Sequence, residues 1–309
     1  MRRSFTPLTE KNSQNEIWEA VRGLYRRMSP CVLCPRACGA KRLEGEVGFC
    51  RANAEVVLAS ATVHRGEEPP VSGTGGSGTL FFSNCTLRCV YCQNWPISQQ
   101  GVGRTVTIDE LADRMLGLER RGVHNINLVN PTHYWPQIAA ATALARGRGL
   151  KIPILANTSG FESEETLALL APVVQIWLPD VKTVRARHAE EICGERRLSR
   201  ACWSALTFLV KLAGPLQVDE HGIAVRGVLV RHLLLPGGRS DTAASLRRLR
   251  RRYRGRVPVS LMTQYFPAHR APGHSVFGHR PRPAAQRRAW RLARVLRLNR
   301  GWRQENGRH

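Results

Sequence analysis

The sequence lacks any apolar stretch of the roughly 18 residues that a membrane-spanning helix requires, so we expect no membrane span. Its first residues run into Glu10, Lys11 and Asn12 rather than into an apolar segment, which argues against a secretory signal. We therefore expect a cytoplasmic protein. With 309 residues, the chain is long enough for one large α/β domain with appendages and an ample core.

Lysine and acidic residues are scarce. The chain has 5 Lys against 42 Arg, and 23 acidic residues against 47 basic ones, which gives a formal net charge of +24. Residues 241–309 contain 18 Arg and no Lys, with Asp241 and Glu305 as their acids. Such a charge attracts nucleic acid or an acidic protein partner. The arginines lack the interleaved aromatic residues that stack on the bases of single-stranded nucleic acid. This favours the alternative that they are ordinary solvated surface residues, frequent because a GC-rich genome encodes arginine often.

The glycine-rich run 73–78 lacks the Gly-Lys-Ser/Thr ending of a phosphate-binding loop. It also precedes a predicted strand rather than a helix, so a phosphate-binding loop is excluded. We expect these glycines to let the backbone bend close to the cysteine-containing loop that follows the strand.

Cysteine is plentiful, with nine residues, and seven of them fall into two short-spaced sets. In a chain that reads as intracellular, such sets are typical of metal ligands rather than of a disulfide framework. Cys193 and Cys202 are isolated, and we interpret them as ordinary helix or loop thiols.

The first set, Cys85, Cys89 and Cys92, has the spacing Cys-x3-Cys-x2-Cys with Tyr91 before the last cysteine. A 4Fe-4S cluster normally takes four thiolates, so a loop with three suits a cluster with one iron open to another ligand. The alternatives are a zinc site with its fourth ligand elsewhere, or a chance group of buried thiols.

The second set comprises four cysteines: Cys31, Cys34, Cys38 and Cys50. Because the gaps between Cys31, Cys34 and Cys38 are two and three residues, their sulfurs lie on one tight turn. Gly45 and Gly48 allow the chain to fold back and bring Cys50 to them. This pattern predicts a second metal centre, either a tetrahedral zinc site or an auxiliary iron–sulfur cluster. Uncoordinated thiols or disulfides are the remaining alternative.

Strands and helices alternate from residue 79 onward. The predicted strands are 79–83, 125–129, 152–157, 173–178, 224–235 and 257–264. The predicted helices are 107–121, 136–146, 164–170, 198–212 and 240–253, the first opened by a capping box at Thr107 and Glu110. Six apolar strands that alternate with helices predict an α/β fold with parallel strands, arranged as an open, partial (β/α)6 barrel.

Three regions are predicted along the chain. Residues 1–70 form an N-terminal cysteine-rich extension, with a polar leader, a helix over 16–28 and a strand over 55–65. Residues 71–270 form the core domain. Residues 271–309 form a basic extension, in which apolar residues at helical spacing over 283–300 predict an amphipathic helix that covers an edge or end of the barrel.

The cysteine loop resembles the signature of the radical S-adenosylmethionine (SAM) superfamily, Cys-x3-Cys-x-aromatic-Cys. Other stretches are similar to proteins related to the pyruvate formate-lyase activating enzyme, and they run in family order over residues 76–265. These stretches are Gly-Ser-Gly-Thr-Leu-Phe-Phe-Ser-Asn-Cys from Gly76, Asn-Thr-Ser-Gly-Phe from Asn157, Leu-Pro-Asp-Val-Lys from Leu178, Val-Arg-His-Leu-Leu-Leu-Pro-Gly from Val230 and Met-Thr-Gln-Tyr from Met262.

The resemblance implies a radical SAM enzyme that uses a 4Fe-4S cluster to cleave SAM reductively and form a 5′-deoxyadenosyl radical. The resemblance also implies that the radical removes a hydrogen atom from a substrate such as a glycyl residue of a partner protein. The electron would come from a donor such as flavodoxin or ferredoxin. The alternatives are a radical SAM enzyme that modifies RNA or a peptide, and a non-catalytic, zinc-stabilised protein that binds nucleic acid.

The resemblance also implies SAM-binding positions, whereas it assigns no further catalytic residue. Where the activating enzymes have Gly-Gly-Glu, this chain has Pro131-Thr132-His133, and Asn130, Thr132 and His133 are the candidate acceptors for the SAM amino group. Arg231 and His232 are candidates to line the cavity. The remaining candidate SAM-binding residues are Tyr91, Asn157, Ser159, Asp180, Lys182 and Gln264.

Overall fold

The computed structural model describes residues 10–298 and 301–304. The predicted polar leader before residue 10 therefore lies outside the described residues, as do residues 299–300 and 305–309 of the predicted basic extension. The division into units at residues 70 and 270 stays a prediction.

The strands of the described residues are β1 (Val56–His64), β2 (Ser77–Phe82), β3 (Arg104–Val106), β4 (Ile126–Val129), β5 (Ile154–Thr158), β6 (Ile176–Pro179), β7 (Gln217–Val218), β8 (Ala224–Val228), β9 (Val230–Leu233), β10 (Val259–Met262) and β11 (Trp302–Gln304).

The helices of the same residues are α1 (Glu10–Arg26), α2 (Pro69–Ser72), α3 (Trp95–Ser98), α4 (Ile108–Glu119), α5 (Trp135–Gly147), α6 (Glu164–Leu169), α7 (Ala186–Cys193), α8 (Leu198–Ala213), α9 (Thr242–Tyr253) and α10 (Pro283–Val295). Short 3-10 turns occur at Arg42–Glu44, Thr132–Tyr134 and Pro236–Gly238.

The central sheet has the strand order β3-β1-β2-β4-β5-β6-β8-β7, and a smaller sheet has the order β11-β10-β9. Neighbours from β2 through β4, β5 and β6 to β8 pair in parallel, as do β9, β10 and β11. Leu229 alone separates β8 from β9, and a bridge between Asp180 and Arg231 continues the pairing from the end of β6 into β9. The predicted α/β fold with a mostly parallel central sheet is confirmed.

The parallel strands are apolar because helices cover them. Ile126 and Leu128 of β4 and Ile154 of β5 are fully buried, as expected of parallel strands packed on both faces. Helix α4 opens with the predicted capping box: Thr107 Oγ1 accepts from Glu110 N at 3.1 Å, and the Glu110 carboxylate accepts from Thr107 N at 2.9 Å.

Several elements differ from their predicted bounds. Helix α1 begins at Glu10 rather than at residue 16, and α10 ends at Val295 rather than at residue 300. Arg297 has a φ of 52°, in the left-handed region that no α-helix continues through. Strands β3, β7 and β11 were not predicted because runs of two or three residues carry no periodic pattern, and helix α7 was also missed.

The expectation for the glycine-rich run 73–78 is wrong. This run precedes β2 whereas the cysteine loop follows it, so the six residues of β2 hold them about 20 Å apart. Its glycines pack instead against a neighbouring loop: a Cβ atom on Gly75 would lie 2.2 Å from the carbonyl oxygen of Gly122.

The chain from residue 10 to 298, with residues 301–304, contains no helix that is both long and apolar enough to cross a membrane.

Candidate active site

The cysteine loop begins where β2 ends, at the carboxyl edge of the parallel strands, where α/β folds gather ligand groups. Ser83 and Asn84 lead into it: Ser83 Oγ donates to Val102 O at 2.7 Å, and Asn84 Nδ2 donates to Tyr134 Oη at 3.1 Å. Asn84 has a φ of 70°, which turns the chain sharply before Cys85. The three cysteines that follow are free thiols and half-buried.

Each thiol of the loop is held by a polar neighbour. Cys85 Sγ lies 3.3 Å from Asn130 Oδ1, and Cys92 Sγ lies 3.1 Å from Ser98 Oγ. Burial raises the pKa of the Cys85 thiol to about 12. A hydrogen bond with Cys193, outweighing burial, lowers the pKa of Cys89 to about 7.

Asp180 and Lys182 form an ion pair directly after β6. Lys182 Nζ lies 2.5 Å from Asp180 Oδ2, and both side chains are largely buried. Burial alone would lower the pKa of Lys182, but the neighbouring Asp180 carboxylate raises it, and Tyr91 and Cys89 are also close enough to affect it. The pair is therefore within electrostatic reach of the cysteine loop, and it offers one acid and one cation to a zwitterionic amino acid.

Gly160 allows β5 and β6 to end side by side. It has a φ of 77°, and a Cβ atom at this position would lie 2.4 Å from the carbonyl oxygen of Asp180.

Tyr91 is buried against the segment that follows β10. Its ring lies 5.3 Å from that of Tyr265, edge to face, and 6.0 Å from that of Phe277. The backbone of the same segment is tied to the loop, since Arg270 N donates to Val90 O at 3.0 Å. Gln264 lies nearby, and its carbonyl oxygen accepts from Gln93 Nε2 at 3.4 Å.

Asn130, Asn157 and Ser159 end neighbouring strands. Asn130 N donates to Asn157 O at 3.0 Å, and Asn130 Nδ2 donates to Asn84 O, so Asn130 joins the tops of β2, β4 and β5. Asn157 and Ser159 are half-buried. These residues lie on the same edge of the sheet as Cys85.

Thr132 and His133 line the cavity that the N-terminal cysteines also line. Thr132 Oγ1 donates to Glu162 Oε1 at 2.6 Å, and His133 Nε2 lies 2.7 Å from Ser83 O. Burial lowers the pKa of His133 to about 3, so its ring is neutral. Both side chains line the cavity that contains the N-terminal cysteines.

The N-terminal cysteines share this cavity. It is lined by all four thiols of the second set, Cys31, Cys34, Cys38 and Cys50. Four buried polar atoms of its lining have no hydrogen-bond partner: His133 Nδ1, Thr86 Oγ1, Arg36 Nε and Arg42 Nε. Gly48 keeps the turn tight, since a Cβ atom there would lie 2.7 Å from Cys38 Sγ. Four soft donors surrounded by unsatisfied polar atoms fit a bound metal centre.

Glu162 was not predicted from the sequence. Its carboxylate is fully buried, accepts from Thr132 and also lies 3.3 Å from Trp135 Nε1. Burial raises its pKa to about 7. Sequence reasoning missed it because an acid after a strand ordinarily faces solvent, and its burial depends on the distant α5.

Arg231 forms ion pairs, and His232 hydrogen bonds, with other residues of the fold. Arg231 pairs with both Glu67 and Glu68 in the interior. His232 lies between Val181 O, at 2.6 Å from Nδ1, and Thr242 Oγ1, at 2.9 Å from Nε2. Their polar atoms are therefore used within the fold.

Among the described residues, no three His, Cys, Asp or Glu side chains converge as ligands of a single ion do. Sulfurs around one zinc ion lie roughly 3.8 Å apart, given Zn–S bonds near 2.3 Å and tetrahedral angles. In a 4Fe-4S cluster each thiolate binds a different iron, so its sulfurs are further apart.

Residues 79–207 match the family described as the Radical SAM superfamily. This segment is therefore similar to the radical SAM superfamily over about two fifths of the chain. The matched range contains Cys85, Cys89 and Cys92 and the pair Asp180 and Lys182. This match supports the expectation of a 4Fe-4S cluster and SAM as cofactors. The three free thiols at the strand edge fit the cluster.

Two uncharacterized proteins of Methanocaldococcus jannaschii are similar to the chain. MJ0674 is 28% identical over 250 residues, which cover 78% of this chain and 67% of the relative. MJ0808 is 29% identical over 157 residues, which cover 45% of this chain and 46% of the relative. The chain thus spans about two thirds of the first relative and less than half of the second.

One solved structure also resembles this chain: the FeFe-hydrogenase maturase HydG from Carboxydothermus hydrogenoformans. It superposes with a TM-score of 0.49 and 12% identity, over 71% of this chain and 50% of the maturase.

Proposed function

We propose that the protein is a radical SAM enzyme that cleaves SAM reductively and abstracts a hydrogen atom from a substrate. The observation that carries this proposal is the group of three free thiols at the carboxyl edge of β2, with the Asp180–Lys182 pair within electrostatic reach of Cys89. When bound, the reduced cluster supplies one electron to SAM, which yields methionine and the 5′-deoxyadenosyl radical that removes the hydrogen atom.

The chain's own residues hold and orient these groups. Cys85, Cys89 and Cys92 hold the cluster, and Asn130 holds the start of their loop because its Nδ2 donates to the carbonyl oxygen of Asn84. Asp180 and Lys182 bind the ammonium and carboxylate ends of the methionine moiety, by opposite charge. Their side chains are three-quarters buried or more, so these charge-assisted hydrogen bonds are weakly screened by solvent.

Tyr91 and the segment after β10 exclude water from one side of the loop. The rings of Tyr91, Tyr265 and Phe277 form a buried aromatic group, and Tyr265 Oη donates to Phe277 O at 2.5 Å. The superfamily resemblance implies that Tyr91 lies against the adenine of SAM.

The six parallel segments β2, β4, β5, β6, β8–β9 and β10 support an open, partial (β/α)6 barrel. They follow one another in chain order, and the bridge between Asp180 and Arg231 links the two sheets. In this arrangement the cysteine loop and the ends of β4, β5 and β6 lie on one edge of the sheet.

The second cysteine set is proposed to hold a separate metal centre. The unsatisfied Nδ1 of His133 and Oγ1 of Thr86 support it, because buried polar atoms without partners are rare unless a ligand satisfies them. An auxiliary iron–sulfur cluster is preferred to zinc because the run Cys31-Val-Leu-Cys34-Pro-Arg-Ala-Cys38 is similar to one at the head of relatives of the activating enzyme.

The hydrogen donor proposed from the same resemblance is a glycyl residue of a partner protein, with flavodoxin or ferredoxin as the electron donor. A non-catalytic, zinc-stabilised nucleic-acid-binding protein is the weaker alternative, because it leaves the cysteine loop and the Asp180–Lys182 pair without a role.

Electron paramagnetic resonance of the anaerobically reconstituted protein tests the proposal. Reduction should give the signal of a 4Fe-4S cluster, and SAM should change that signal by occupying the open iron. An iron-loaded, reduced protein whose signal does not respond to SAM would refute the proposed function.

A further inference from the structure

The described residues form a groove that no cysteine thiol lines. It has a volume of about 1060 Å³ and lies between α9, α10, the turn Pro236–Gly238 and the loop before α10. We call it the α9–α10 groove. Its floor is mostly apolar and includes Leu234, Val276, Leu292 and Val295.

The rim of the α9–α10 groove is cationic. Five exposed arginines line it, and none forms an ion pair with a described residue: Arg247, Arg280, Arg282, Arg288 and Arg291. A sixth, Arg185, pairs with Asp241 at 3.1 Å. Asp241 is the one acid among the described lining residues; its side chain is 3% exposed and also contacts His188 and Thr183. The groove therefore presents uncompensated positive charge.

The residues on the floor of the groove indicate which class of anionic partner fits it. Val295 is 71% exposed although it belongs to the apolar face of α10, and Leu292 and Val276 are half-buried beside it. Among the described lining residues there is no Phe, Tyr or Trp on which a base could stack. An apolar floor with a cationic rim matches a peptide that carries both apolar and acidic side chains better than it matches a nucleic acid.

One layer of side chains separates the α9–α10 groove from the cysteine loop. Val276 lines the groove, while its neighbour Phe277 packs against Tyr91 of the loop at 6.0 Å between ring centroids. On the other side, Arg185 follows Lys182 by three residues. A segment bound in the groove would therefore lie next to the carboxyl edge of the strands.

We propose that the α9–α10 groove binds an acidic, partly apolar peptide segment of the protein substrate and so delivers that substrate to the radical site. This inference rests on the proposed function, since it names the class of substrate for the same site. Opposite charges on the rim steer and orient the segment, and burial of its apolar side chains on the floor retains it.

Fluorescence anisotropy with labelled probes tests the groove. The probe is a peptide of about four helical turns built from glutamate and leucine at helical spacing, and two further probes are its lysine-for-glutamate counterpart and a single-stranded RNA. The holoprotein variant Arg288→Glu/Arg291→Glu reverses two rim charges. Its matched control, Arg287→Glu/Arg294→Glu, makes the same charge change at exposed positions of α10 outside the groove.

We expect the rim variant to weaken binding of the acidic peptide at least tenfold and the control to weaken it less than threefold. Val295→Ser should weaken it too, whereas Val218→Ser, at another exposed valine, should not. No binding of the acidic peptide, equal losses in the rim variant and its control, or tighter groove-dependent binding of RNA would overturn the proposal.

A second readout separates this inference from the proposed function. Iron content and substrate-free formation of 5′-deoxyadenosine should stay within twofold of wild type in the rim variant, because its arginines do not contact the cysteine loop. If wild type and variant both fail to form 5′-deoxyadenosine while peptide binding follows the rim charges, the proposed function fails and the groove stands.

Discussion

The side-chain oxygen of Asn130 lies 3.3 Å from the thiol of Cys85. Asn130 has a φ of 59°, and its amide nitrogen donates to the carbonyl oxygen of Asn84. One residue at the end of β4 thus holds both the backbone and the first thiol of the loop that follows β2. Asparagine suits this position because it tolerates the left-handed region better than most residues.

Asn130→Gly should loosen the cysteine loop without adding backbone strain, since glycine accepts a positive φ. We expect iron to be lost at least threefold faster to a chelator under anaerobic conditions. Arg254→Gly is the matched control, because Arg254 also has a positive φ, 54°, but lies at the end of α9. Equal rates of iron loss in wild type and Asn130→Gly would contradict a role for Asn130 in holding the cysteine loop.

Asp180→Asn should weaken SAM binding by about 10- to 100-fold, because it removes the charge from one of the two groups that we propose bind the methionine moiety. The cluster should stay loaded, since Asp180 is not a proposed iron ligand. Calorimetric titration with SAM measures the effect, and Asp113→Asn, at an exposed carboxylate, is the control. An unchanged SAM affinity would exclude Asp180 from the site.

The second metal centre can be counted in a protein whose Cys85, Cys89 and Cys92 are all replaced by alanine. After anaerobic purification we expect about four irons with sulfide for an auxiliary cluster, or about one zinc for a structural site. Further replacement of Cys34 by alanine should remove that metal and destabilise residues 31–50, because metal binding couples to folding. A folded triple variant that contains neither metal would reject the second centre.

Glu162 should make stability depend on pH. Burial raises its pKa from 4.5 to about 7, so between these values the folded state keeps a proton that the unfolded state has lost. Stability therefore falls as pH rises from 4.5 to 7, by about 3 kcal/mol, and levels off above 7.

Urea unfolding at pH 5 and pH 8 measures this dependence. Glu162→Gln should lose less stability than wild type between the two pH values, whereas Glu165→Gln, 69% exposed on its side chain, should behave as wild type. An identical pH dependence in wild type and Glu162→Gln would show that Glu162 does not titrate in this range.

Much of the fold is predictable from the sequence because each core unit has a strong local signal. Five of the six predicted parallel strands each have one counterpart, whereas the predicted strand 224–235 is divided into β8 and β9, which belong to different sheets. The capping box at Thr107 and Glu110 sets the start of α4 within one residue. The missing elements are those without such a signal: β7 has two residues, and β11 pairs with β10 across about 40 residues of sequence.

The site was less predictable because its geometry depends on turns and distant contacts. Thr132 and His133 follow β4 as expected, but a 3-10 turn directs them toward the N-terminal cysteines. Glu162 is buried only because α5 brings Trp135 to it. Spacing predicts which residues share a loop, such as Cys85 and Cys89, more reliably than it predicts residues that converge from separate elements.

Formation of 5′-deoxyadenosine tests the central claim most directly. The reconstituted, reduced wild-type protein should convert SAM to 5′-deoxyadenosine and methionine in equal amounts, and Cys89→Ala should form neither. Cys202→Ala, at a buried thiol outside both cysteine sets, should keep the activity of wild type. A Cys89→Ala protein with full activity, or an iron-loaded wild type that forms no 5′-deoxyadenosine from bound SAM, would contradict the account.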